Sequence, residues 1–260
     1  MSKYIDQVDV FTSRFADILL DASRNANSAE VLSILKSSPT TACADGLAAS
    51  IMEVAEKHPE AADALANLVQ VVLDSVIDIP VEDYWERPVH LHTVVLDSLA
   101  ESIKDSLDET QYTIPKQTTI SPSNPTIAVA LFASSAIKSG FLNENISRAP
   151  YLFTLQGLQL PGSRFDAPDE VQRQETVGIG ACLLLTIAGA SVTQAFSPHE
   201  KELALEALKE LKEKHVISYP GGIALLEDAI ANAESAYTHD MPALQAWNRL
   251  FPETIQFTDL

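Results

Sequence analysis

The stretch NPTIAVALFASSAIKSG, residues 124–140, carries its own boundaries. Asn124 is a residue type that caps a helix N-terminus through its side-chain oxygen, and Pro125 suits the first helical position, where the N–H it lacks would have no partner. Gly140 is the type that takes the left-handed conformation just past a helix end. Between them, apolar residues fall on every side of a helix and not on one stripe. The pattern therefore predicts a helix over 126–139 that is enclosed by other elements. Such a helix demands a shell, and the rest of the chain supplies one.

Upstream, Ile5, Val8, Phe11, Phe15, Ile18 and Leu19 recur at three- and four-residue steps, predicting an amphipathic helix from Tyr4 to Ser23. Ser28 as N-cap opens a short helix to Ser37, and a longer one spans Thr41 to Lys57 with Leu47, Ile51 and Val54 inside. Pro59 fits the start of the next helix, whose buried face is Leu65, Leu68, Val69, Val72, Leu73 and Val76. Pro80 and Pro88 bracket an irregular connection, after which His92, Val95, Leu96, Leu99, Ile103 and Leu107 give helical spacing from Pro88 to Asp108.

Downstream, a short helix is expected near Pro150 to Leu158, a turn at Pro161-Gly162, and a long helix from Pro168 that becomes wholly apolar beyond Thr176. Ser197-Pro198-His199-Glu200 reads as a capping box opening a charged helix to Lys214. Tyr219-Pro220-Gly221-Gly222 reads as a turn, followed by helices Ile223 to Tyr237 and Met241 to Phe251, the last capped by Asp240, and then a tail over 252–260. No apolar pattern alternates over five residues. The fold class expected is all-α, about ten helices in antiparallel pairs forming an irregular α-solenoid or compact helical bundle. Residues 1–108 form an N-terminal helical half and 126–260 a C-terminal half. The Pro-, Thr- and Ser-rich segment 109–125 is the linker or long loop between them, with the two halves packed as one domain.

Apolar residues make up 46% of the 260, too many for a disordered chain, and aromatics only 7%, few for an antiparallel β protein. The formal charge of −19 repels phosphate backbones and anionic headgroups, so neither nucleic acid nor a membrane surface is an expected partner. Asp6, Asp9 and Asp17 interrupt the start before a signal-peptide core could form, and the most apolar segment, Val177 to Val192, is short for a spanning helix. Cys43 and Cys182 in apolar surroundings suit a reducing compartment, and the expected location is cytoplasmic. The sequon Asn145-Ile146-Ser147 carries no meaning there.

Three patterns invite a chemical reading and do not sustain it. Gly178-Ile179-Gly180-Ala181-Cys182 superficially resembles a dinucleotide-binding loop, but no strand leads into it, and small residues on one helix face are what close helix packing needs. Asp74 and Asp78 with Glu82 and Asp83 could converge on Mg²⁺ and a diphosphate, yet the second ligand cluster and the basic residues such a site requires are missing, which leaves a solvated acidic face. His90 and His92, on one helix, would point in roughly opposite directions and cannot readily share a metal. No metal and no cofactor are expected.

The best candidate site is the Pro80–Pro88 loop with the start of the following helix. His92 shares the apolar stripe, which suits a core histidine. Half-buried beside an aromatic wall, it would also serve as a general acid/base. Glu82 or Asp83 would orient it, and Tyr84, Trp85 and His90 would contact a ligand.

Near Asn124 to Phe141, and again at Leu244-Gln245-Ala246-Trp247-Asn248-Arg249-Leu250-Phe251, the chain resembles the fungal family called domain of unknown function 3632. Members have an apolar central helix opening after an Asn and a closing helix with a Trp and a basic-aromatic end. The resemblance implies a fungal, intracellular, all-helical protein and carries over no site residue. The function expected is a non-catalytic interaction or small-ligand-binding module, since stacked helix pairs present grooves and an acidic surface steers a basic partner. The partner would be a protein or an apolar small molecule. The rival is a cofactor-independent isomerase or cyclase of fungal natural-product metabolism. A closed apolar cavity of several hundred cubic ångström with convergent polar groups would favour the enzyme, and an open apolar groove the binder.

Overall fold

The structure, a computed structural model, describes residues 2–82, 87–112, 120–142 and 168–253. Its helices are α1 (Ser2–Arg24), α2 (Ala29–Ser37), α3 (Thr41–Lys57), α4 (Ala62–Ser75), α5 (Leu91–Tyr112), α6 (Pro125–Ser139), α7 (Pro168–Ile187), α8 (Gly189–Val192), α9 (Pro198–Glu213), α10 (Pro220–Glu234) and α11 (Ala243–Leu250). Two short strands, β1 (Pro80–Glu82) and β2 (Pro88–His90), precede α5. The fold class is all-α. The short helix expected near 150–158, the turn at 161–162 and the sequon at 145 lie outside the described residues.

Helix α6 is buried at every position from Thr126 to Ile137. Asn124 Oδ1 accepts from the backbone N–H groups of Thr126 and Ile127, and Gly140 takes φ 88° at the other end, so both local signals operate as read. Around it lie α3, α4, α5, α7 and α11, and one hydrophobic cluster runs through the elements before and after residue 125. Its polar side chains bond inside the fold: Ser134 Oγ donates to the Ala130 carbonyl and Ser135 Oγ to Asp63 Oδ1. Helix α7 is likewise buried from Glu175 onward, with Thr186 Oγ1 donating to the Cys182 carbonyl.

Helices α1 and α3 cross closely because Gly46 has no side chain: a Cβ there would stand 2.5 Å from Phe11 Cβ. One turn later Ser50 Oγ donates to the Thr12 and Gly46 carbonyls, fixing the crossing with a hydrogen bond between the helices. Helix α11 packs on α4, α6, α7 and α10, and its Trp247 meets Phe251, just past the helix end, edge to face at 4.7 Å between centroids.

Several boundaries differ from those the sequence implies. Pro80 and Pro88 each open a strand, with Val81 opposite Val89 and Glu82 opposite Pro88. Proline is tolerated at a first strand position, and three residues are too few to show a period of two. Helix α5 consequently begins at Leu91 instead of Pro88 and runs to Tyr112, into the segment expected to be a linker. Ser28 stands at the N-cap of α2 but makes no side-chain cap; Asn27 Oδ1 accepts from Ala29 N at 3.1 Å in its place.

Pro220-Gly221-Gly222 is the first turn of α10, not a turn ahead of it. The glycines answer to packing: a Cβ on Gly221 would lie 1.9 Å from the Leu250 carbonyl oxygen, and one on Gly222 2.7 Å from Ile217 Cγ2. Helix α10 stops at Glu234, short of Tyr237, because Ala236 and Tyr237 adopt φ of 60° and 57°. The capping box at Ser197 and Glu200 is present in both directions.

Two helix starts are capped by carboxylates borrowed from other helices. Asp240 does not cap α11; its Oδ1 accepts from Ala190 N, and Asp63 on α4 accepts from Ala243 N at 2.8 Å. Glu175 on α7, only 8% exposed, takes Ser218 N at 2.6 Å, Tyr219 N at 2.7 Å and Ser218 Oγ at 3.1 Å on one oxygen at the entrance to α10. A carboxylate there meets both the unpaired N–H groups and the positive end of the helix dipole.

Glu175→Ala should lower unfolding free energy in urea by about 2–3 kcal/mol and Glu175→Gln by less, since a charged acceptor is lost in both but an acceptor oxygen survives in one. Equal losses would show that the bonds to Ser218 and Tyr219 are not the cause. Gly→Ala in a helix ordinarily stabilises by about 1 kcal/mol. Gly221→Ala should instead destabilise by about 1–3 kcal/mol because α11 must move; a gain in stability would contradict the close approach to Leu250.

Candidate functional site

Helix α5 owes its position to Leu91, Val95, Leu99 and Ile103, four residues apart and fully buried. The same four-residue step, started at residue 97, places Asp97, Glu101 and Asp105 on a parallel outward stripe, with Ser98 and Ser102 between the two. This outward side forms one wall of an open cleft of about 520 Å³. Thr41, Asp45 and Ala48 of α3 also line it, as do Arg87, Val89, Thr93 and Val94.

Asp45 differs from the other three acids of the cleft. Its carboxylate accepts from Tyr4 Oη and from Ser98 Oγ, each at 2.5 Å, and so ties α1 and α5 to α3. Asp97, Glu101 and Asp105 have no ion pair and no hydrogen-bond partner among the described residues, whereas Lys57, Lys209, Lys212 and Lys214 elsewhere each hold a glutamate. Neighbouring carboxylates at this spacing repel by about 0.2–0.5 kcal/mol per pair on a helix surface. The cleft thus sets these three carboxylates against one guanidinium, that of Arg87.

Glu82 is exposed at the end of β1, and His90 is exposed at the end of β2 opposite Pro80. His92, in the first turn of α5, is half-buried, with Nδ1 3.2 Å from Thr93 Oγ1. His90 and His92 thus lie on different elements and not on one helix. Glu82 makes no hydrogen bond to His92, and none of Glu82, His90 and His92 lines the cleft, although their neighbours Arg87, Val89, Thr93 and Val94 do. Asp83, Tyr84 and Trp85 lie outside the described residues.

The acidic stripe is the feature the sequence reading passed over. Its signal was available, since acids at 97, 101 and 105 accompany the apolar stripe of the same helix. Asp45, a lone acid in the apolar run from Thr41 to Ile51, was a second signal.

Other candidate groups serve structure. Asp74 Oδ1 accepts from Gln70 Nε2 within α4, and among the described residues no three carboxylate, imidazole or thiol groups are arranged to hold a metal ion. Gly178 to Cys182 lies inside α7, remote from any strand-to-helix turn. Among the described residues no helix is long and apolar enough to cross a membrane. No family model, curated protein or solved structure matches the chain, so the resemblance at 124–141 and 244–251 rests on those residues alone.

Both cysteines are free and buried, and burial pushes each thiol up to about 12, with Arg14 opposing the shift at Cys43. The thiolate is the reactive form, so neither thiol is a nucleophile near neutrality. At pH 8 a thiol reagent should leave Cys43 and Cys182 unmodified in the native protein and label both in denaturant. Stoichiometric labelling of either in the native state would contradict this burial.

Proposed function

We propose that this chain is a non-catalytic binding module whose cleft between α3, β2 and α5 receives a basic segment of a partner protein. The observation that carries the reading is the row of Asp97, Glu101 and Asp105, one helical turn apart, without a cationic partner among the described residues and on one wall of an open cleft. Helices with local charge conflicts are normally relieved by lysine or arginine at turn spacing, as Glu53 and Lys57 are on α3. Where relief is missing, a ligand that supplies it gains the Coulomb energy the fold has left unused. The wider charge of −19 would steer such a partner in from solution.

The cleft suits this role better than that of an enzyme for apolar molecules. It is open, its α5 wall sets three carboxylates and the Ser98 and Ser102 hydroxyls beside apolar Ala48, Val89 and Val94, and His92 is outside it. The cytoplasmic setting we assign is supported by the two buried free thiols.

Titration with a short arginine-rich peptide, read by fluorescence anisotropy, tests the reading. The native protein should bind it with an affinity that falls as salt rises. The triple variant Asp97→Asn, Glu101→Gln, Asp105→Asn should bind at least about tenfold more weakly, a loss of about 1.4 kcal/mol. A control that removes three other exposed acids, Glu202→Gln, Glu206→Gln, Glu213→Gln, should bind like the native chain. With two like-charge pairs relieved, the first variant should be as stable as the native protein or up to about 1 kcal/mol more stable. Equal weakening by the two triple variants would reduce the effect to net charge and overturn the assignment of the cleft.

A further inference from the structure

We draw no further inference here: the strongest candidate, a cleft of about 510 Å³ between α10 and the Asp240–Gln245 segment, carries nothing, because the Asn232 and Thr186 side chains that line it are already bonded to the Leu185 and Cys182 carbonyls and the nearby unpartnered Tyr237 hydroxyl does not line it.

Discussion

Helix α6 has no face that can be left in water, and the placement of its neighbours follows from that. Twelve consecutive residues from Thr126 to Ile137 are buried, including Phe132, Leu131 and Val129. At about 25 cal/mol per Å² of apolar surface, exposing any side of this helix would cost several kcal/mol, comparable with the whole margin by which a domain is stable. Helices α3, α4, α5, α7 and α11 therefore pack against it. On α5 the outward side carries the acidic row. The candidate site is in this sense a consequence of the core: the Leu91 to Ile103 stripe faces inward, and the carboxylates are left on the other side.

A shell of helices creates a second requirement, which is to satisfy helix ends that meet one another where water is scarce. The fold does this partly with carboxylates borrowed across elements. Asp63 serves both Ser135 of α6 and the start of α11, and Glu175 serves the entrance to α10 from within α7. These two residues connect helices distant in sequence, as Asp45 does for α1, α3 and α5. Close crossings at Gly46 and Gly221 complete the scheme, since backbone can approach backbone only where no Cβ intervenes.

What could be read from sequence divides along the same line. Signals contained within one turn of chain were legible: Asn124, Pro125 and Gly140 around α6, the Ser197–Glu200 box, and the helical spacing that defines the all-α class. Signals that depend on a distant contact were not. Pro220-Gly221-Gly222 has the local chemistry of a turn, yet it is the first turn of α10, and the need for glycine at 221 comes from the distant carbonyl of Leu250. Asp240 is a good local cap for α11, yet Asp63, 180 residues away, holds the position. At the candidate site, the histidines and aromatics near 82–92 are the residue types that carry most chemistry, and they mark the Pro80–Pro88 connection in the sequence. The chemically plainer carboxylates at 97, 101 and 105 form the wall of the neighbouring cleft.

The claim that α6 is the enclosed centre on which the shell depends is tested most directly by native-state hydrogen exchange. Amides of Val129 to Ala136 should exchange only through global unfolding, with an opening free energy equal to that measured in denaturant, while the outer turns of α9 exchange through smaller openings. Exchange of the α6 amides at a free energy well below the global value, with the remaining helices still protected, would contradict the account.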